Sequence, residues 1–240
     1  MLSFIVPAYN EELELPATIE AIRKAAASHD YEILVVDDGS TDATGEIARA
    51  AGAKLIPIAR RQIAAARNAG GRAASGDILC FVDADTRINS KHVIGAIDAF
   101  ADGCAGGSAQ VTIAGAIPTW SRISLRIFCA IYFALNLGAG AFLFTTSKNF
   151  KTAGGFDETL FIGEEVYFSL AIRKLGRFKI LSEPVLTSGR KLRMYSAREI
   201  LSNTLRVLVR GPRAARSREG LHIWYDGRRE SPSRTGNLST

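Results

Sequence analysis

Glu32-Ile-Leu-Val-Val-Asp-Asp-Gly-Ser-Thr-Asp-Ala-Thr-Gly-Glu-Ile-Ala-Arg-Ala50 is the stretch from which the architecture can be read. Four consecutive apolar residues, mostly β-branched, describe a strand covered on both faces. Two acids and a glycine end it. Asp42 to Ala50 then carries apolar residues at helical spacing, with Ser40, Thr41 or Asp42 available as an N-cap. The same strand, polar turn and helix recur on either side. Strands are expected at Leu2 to Val6, Glu32 to Val36, Lys54 to Ile56 and Ile78 to Val82, with helices at Glu12 to Ala27 and Ile63 to Ala74 between them. This alternation is the pattern of an α/β fold, a mainly parallel sheet flanked by helices.

In such sheets ligands bind beyond the carboxyl ends of the strands, where helix N-termini present free N–H groups and positive dipole ends. The polar residues gather there. Tyr9, Asn10 and Glu11 follow the first strand, Asp37 and Asp38 the second, and Asp83 and Asp85 the fourth. The second half is less regular, with a helix expected at Ser90 to Phe100, a strand at Ala109 to Ile113 and a helix at Glu164 to Leu175 closed by Gly176. Ile127 to Thr145 has no charge over nineteen residues. Asn136, Gly138 and Gly140 interrupt it, so a buried helix ending near Leu137 and a strand from about Ala141 are expected instead of a membrane span.

The 240 residues are 47% hydrophobic and 22% charged, an ordinary globular composition. The net charge of +6 is unevenly distributed: residues 189–240 hold twelve Lys/Arg against four Asp/Glu. Such a tail attracts phosphates, anionic headgroups or nucleic acid, or is simply solvated. With the apolar segment, it raises the expectation of peripheral attachment to an anionic membrane; nucleic acid is not expected as a partner. Three scattered cysteines fit neither a disulfide framework nor a thiolate metal site. No signal-peptide pattern opens the sequence, and a cytoplasmic location is expected.

Ile5-Val-Pro-Ala-Tyr-Asn-Glu-Glu12 and Val35-Val-Asp-Asp-Gly-Ser-Thr-Asp42 resemble the motifs of family two glycosyltransferases. Ala66-Arg-Asn-Ala-Gly70, Ala74-Ser-Gly-Asp77, Phe81-Val-Asp-Ala-Asp85 and Gly154-Gly-Phe-Asp-Glu158 continue the resemblance in that family's order, over residues 1 to about 180. It implies the A-type, Rossmann-like glycosyltransferase fold: a catalytic domain over 1–188 with a nucleotide-binding half (1–105) and an acceptor half (106–188). Residues 189–240 are expected to form a basic, partly mobile extension. It also implies an inverting transfer from a nucleoside-diphosphate sugar. No Gln-x-x-Arg-Trp motif is present, so single, non-processive transfers are expected.

A departing diphosphate carries about two negative charges, which a divalent cation such as Mn²⁺ or Mg²⁺ held by carboxylates can stabilise. By resemblance Asp85 contacts the metal, Asp83 the metal or the donor's ribose, and Pro7, Ala8, Tyr9, Glu11 and Asp38 surround the nucleoside. Asp37 belongs to this group or caps the following helix. Alternation along a strand would turn Asp83 and Asp85 to one side and Ala84 away. Arg67 is expected to pair with the donor phosphate or with Asp83, and Arg190 and Lys191 to offer cations to the diphosphate. His222 is a candidate third metal ligand. Glu165 is the candidate base for the acceptor hydroxyl and Glu164 its rival; the family commonly has Glu-Asp here, one methylene shorter at the second position. A nucleotidyltransferase is disfavoured because the first loop lacks a Gly- and Arg/Lys-rich triphosphate cradle, and a non-catalytic nucleotide-binding or membrane-adaptor module because the acids are retained.

Overall fold

The computed structural model describes residues 1–114, 129, 132–190, 194, 199, 215 and 216. Within them the order is β1 (Leu2–Ala8), α1 (Leu15–Ala26), β2 (Tyr31–Asp38), α2 (Thr44–Ala50), β3 (Lys54–Ile58), α3 (Ile63–Ala73) and β4 (Ile78–Val82). There follow β5 (Thr86–Arg87), α4 (Ser90–Ala101), β6 (Cys104–Ala114), β7 (Phe142–Thr146), α5 (Ser147–Ala153), α6 (Glu164–Arg173) and β8 (Arg177–Ser188).

The strands form one sheet in the order β3-β2-β1-β4-β7-β6-β8-β5. β1, β2, β3 and β4 pair in parallel, as expected for βαβ units. Beyond β4 the sheet is mixed: β7 is antiparallel to β4 and β6, while β8 runs parallel to β6 and antiparallel to β5. The expected division at residue 105 therefore falls inside β6, and both halves share this sheet.

Alternation along the strands builds a core on each face. Phe4 and Val6 of β1 and Cys80 and Val82 of β4 face the layer of α1 and α4, where Ile19, Ile22 and Val93 are buried. Ile5, Leu79 and Phe81 point the other way, into an aromatic group with Phe150, Phe156 and Phe168. The rings of Phe156 and Phe168 stack at 4.1 Å, and Phe81 meets Phe156 edge-on at 5.0 Å. α3 lies close against this face because Gly70 lacks a side chain: a Cβ there would stand 2.3 Å from Ile5 Cγ2.

Several boundaries differ from expectation. α1 begins at Leu15 instead of Glu12, with Pro16 in its first turn, where a missing N–H breaks no helical bond. β6 extends the expected strand by five residues at its start. α5 and β8 were not anticipated. α5 buries only Phe150 and so has no readable period. β8 is only intermittently buried and contains Pro184, which weakens any strand pattern. Of the expected buried apolar helix, residues 127, 128, 130 and 131 lie outside the described residues; residues 132–134 are helical but half-buried or exposed, and the expected strand is β7.

Candidate active site

The loops after β1 and β2 are joined by reciprocal hydrogen bonds. Asn10 N–H donates to Ser40 Oγ (2.9 Å), Thr41 N–H to Asn10 Oδ1 (2.8 Å), Glu11 N–H to Thr44 Oγ1 (2.8 Å) and Ala43 N–H to Glu12 Oε2 (3.1 Å). The two motifs thus build one wall. Asn10 adopts a left-handed conformation (φ 52°), which turns the chain out of β1. Pro7 and Ala8 are buried in β1 beside Val36 and Asp37, so backbone is what they can present. Tyr9 is half-buried, with the Arg61 guanidinium 3.3 Å from its ring centroid.

Asp37 and Asp38 do different work. Asp37 Oδ1 accepts from Ser40 N–H at 2.9 Å and shapes the turn. Asp38, 4% exposed, accepts from the backbone N–H groups of Arg60, Arg61 and Gln62 at 2.6, 2.8 and 2.6 Å. Its carboxylate ties the end of β2 to the start of α3. None of Ser40, Thr41 and Asp42 is the N-cap of α2; that position is Ala43, and Asp42, one residue earlier, accepts from Thr44 N–H on its Oδ1 at 3.0 Å.

Asp83 and Asp85 lie one step beyond where the alternation argument put them. β4 ends at Val82, and the two acids occupy a turn closed by Thr86 N–H on the Asp83 carbonyl at 3.0 Å. Ala84 nevertheless points into the core, with its carbonyl taking the Thr18 hydroxyl at 2.7 Å. Asp83 meets Arg67, whose side chain is 1% exposed. That guanidinium donates to Asp83 Oδ1 (2.8 Å), Glu164 Oε1 (2.7 Å) and the Gly140 carbonyl (3.0 Å). Arg67 is therefore neither a surface ion pair nor free to reach a phosphate. Burial opposes its charge, but Asp83 and Glu164 more than offset this, and its pKa is raised. Burial also raises the Asp83 pKa, with Arg67 opposing and Asp85 reinforcing the shift.

Glu164 and Glu165 open α6 after Gly163, whose left-handed conformation (φ 77°) turns the chain into the helix. Glu164 is buried and held by Arg67. Glu165 is half-buried and has no ion-pair partner among the described residues. Burial, then the Glu164 carboxylate, pushes its pKa up to about 8 against the pull of Arg67.

Arg190, just past β8, forms a bidentate pair with Glu11, at 2.5 Å to each carboxylate oxygen. It also lies 3.5 Å from Asp85 Oδ2, while Asp85 Oδ1 accepts from the Thr187 hydroxyl at 3.2 Å. Lys191 and His222 lie outside the described residues. Among the described residues no three His, Cys, Asp or Glu side chains gather as a metal cluster. Asp83 and Asp85, two residues apart in one turn and close enough for their charges to interact, are hard oxygen donors that fit a cation taking its remaining ligands from phosphates and water.

The sequence reading missed Asn68 and Gln62. Asn68 donates to the Phe156 carbonyl (2.8 Å) and Glu158 Oε1 (2.9 Å) and accepts from Phe156 N–H (2.8 Å). Gln62 Nε2 donates to the Glu158 and Leu160 carbonyls at 2.5 and 3.1 Å. Together they pin the segment leading to Glu164. Asn68 stood inside the quoted motif Ala66-Arg-Asn-Ala-Gly70 without a role of its own, and Gln62 is the residue just before α3.

Known proteins resemble this chain in sequence over part of its length and in fold. A validoxylamine A glucosyltransferase of Streptomyces hygroscopicus subsp. limoneus is 34% identical over 100 residues, 39% of this chain and 22% of that protein. An undecaprenyl-phosphate 4-deoxy-4-formamido-L-arabinose transferase of Aeromonas hydrophila is 32% identical over 112 residues, 43% of this chain and 34% of that protein. The matches therefore span about a third or less of these relatives' length. Among solved structures, the mannosyltransferase PcManGT of Pyrobaculum calidifontis, in complex with GDP-Man and Mn²⁺, superposes with a TM-score of 0.63 at 19% identity, covering 94% of this chain and 69% of that one. S. aureus TarS 1–349 with UDP-GlcNAc gives 0.62 at 21%, covering 86% and 64%. These likenesses establish the A-type glycosyltransferase fold. Residues 3–156, from β1 through the Gly154-Gly155 turn, match the model of glycosyl transferase family 2, and the chain belongs to that family.

Proposed function

We propose that the chain transfers a sugar from a nucleoside-diphosphate donor to an acceptor hydroxyl, once per encounter and with inversion. The observation that carries this reading is the buried Arg67, which joins Asp83 at the donor rim to Glu164 beside the candidate base. The stitched loops around Tyr9 and Glu11 would receive the nucleoside, and Asp38 would shape the base pocket through backbone instead of touching the base. Asp85 and the remaining oxygen of Asp83 would hold Mn²⁺ or Mg²⁺, whose charge stabilises the departing diphosphate. The complexes of PcManGT with GDP-Man and Mn²⁺ and of TarS with UDP-GlcNAc support such a donor site.

Glu165 takes the acceptor proton as the acceptor oxygen bonds to the sugar carbon; the bond from that carbon to the phosphate oxygen breaks, and its electron pair leaves with the diphosphate. Of the two glutamates Glu165 is the better base, because Glu164 is tied to Arg67. Residues 1–188 would form the catalytic unit, with the acceptor side in 106–188. The undecaprenyl-phosphate enzyme among the relatives favours a lipid-linked acceptor. No helix among the described residues is long and apolar enough to cross a membrane, so such an acceptor would be met through peripheral attachment by the basic extension. The test is nucleoside diphosphate release from a panel of nucleotide sugars with Mn²⁺ or Mg²⁺. Turnover lost in Asp85→Asn is expected; failure to bind any nucleotide with metal present overturns the reading.

A further inference from the structure

Arg190 stands between carboxylates from two different loops. Its side chain is 12% exposed; Glu11, at 7%, comes from the β1–α1 loop and Asp85, at 17%, from the β4–β5 turn. The Glu11 N–H on Thr44 and the Thr187 hydroxyl on Asp85 hold both acids in place. The guanidinium thus provides positive charge beside the oxygen assigned above to the metal. Resting on that assignment, we propose that Arg190 and a divalent cation compete for Asp85 in the nucleotide-free protein. A nucleoside diphosphate relieves the competition, so that Arg190 adds to the coupling between nucleotide and metal that direct phosphate ligation supplies.

The argument is electrostatic. A cation taking Asp85 Oδ2 stands next to a guanidinium already 3.5 Å from that atom, in a cleft where water screens little. Either the guanidinium moves off or the cation binds weakly. Arg190 gains nothing by moving while Glu11 holds it bidentately. A diphosphate supplies a competing bidentate acceptor and the negative charge that lets both cations remain. The exchange also frees the Glu11 carboxylate for donor hydroxyls. By reciprocity, whatever nucleotide does to metal affinity, metal does to nucleotide affinity.

MnCl₂ is titrated calorimetrically into nucleotide-free wild type, Arg190→Gln and Arg190→Lys, then again with saturating UDP or GDP. Without nucleotide, Arg190→Gln is expected to bind Mn²⁺ at least about tenfold more tightly than wild type, with Arg190→Lys between. The gain in Mn²⁺ affinity on adding nucleotide should be smaller in Arg190→Gln than in wild type, by about the factor by which its nucleotide-free affinity rises, since phosphate ligation remains. Nucleotide-free Mn²⁺ affinity unchanged or weakened in the variant overturns the proposal. Melting temperatures check folding, and if the Gln variant does not fold, Arg190→Lys decides by the same criterion. Wild type that binds no nucleoside diphosphate with Mn²⁺ overturns the donor-site reading, while the nucleotide-free titrations still decide the role of Arg190.

Discussion

Glu165 and Arg67 concentrate the chemistry: burial holds Glu165 neutral where water would favour its carboxylate, and Asp83 and Glu164 keep the buried Arg67 charged. Glu165 must shed a proton before it can accept one, so transfer by wild type should climb with pH, pass half-maximum near pH 8 and level off above it, as a pH profile of kcat/KM would record. Glu165→Gln should keep donor binding and lose transfer by about 10²- to 10⁴-fold; unchanged turnover would move the base elsewhere, with Glu164 next. Stability gives a second readout. The folded pKa lies above the ordinary glutamate value of 4.5, so the folded state keeps a proton that the unfolded chain releases. That contribution is full below the unfolded pKa and lost as pH rises toward about 8. Glu165→Gln, permanently neutral, should therefore melt progressively higher than wild type across this window, by a few degrees at its top. Arg67→Met leaves two acids without their cation and should cost ~3 kcal/mol, seen as a lowered denaturation midpoint, with Arg67→Lys recovering part of it.

α3 shows how one helix unites the site. Gly70 lets it approach β1, Asn68 and Gln62 clamp the Phe156 to Leu160 segment, and Arg67 reaches both acid groups. Gly70→Val drives a branched side chain into Ile5 and should destabilise by ~1–3 kcal/mol in chemical denaturation. Asn68→Ala leaves the Phe156 and Glu158 groups it serves without their partner, at ~1–3 kcal/mol. Because that segment leads into α6, its kcat should fall more than its donor affinity. The helix itself was legible from its spacing, with its end displaced by one residue. Its function was legible only in part: the Arg67–Asp83 pair, 16 positions apart, was among the expectations, whereas the Glu164, Phe156 and Leu160 partners of Arg67, Asn68 and Gln62 lie 88 to 98 positions away.

Across the whole molecule the site acids Glu11, Asp38, Asp83 and Asp85 lie at or just past the carboxyl ends of β1, β2 and β4, and the excess positive charge lies in residues 189–240. If that extension attaches the enzyme to anionic lipid, vesicle co-sedimentation should fall when residues 212–240 are removed and when salt is raised. Equal partitioning of the full and shortened chains would remove the extension from that role.

Alternating strands and helices, and acids at three strand ends, are local patterns of period 2 and 3.6; the sequence carries them whatever lies opposite. The parallel half of the sheet and its polar rim could therefore be read before any coordinates. Which acid is paired and which is available could not be. Arg67 takes Glu164 and leaves Glu165, Asp38 spends itself on backbone N–H groups, and Arg190 closes on Glu11 from 179 positions away. Hydrogen bonds and ion pairs act over a few ångströms, and only the folded chain sets those distances.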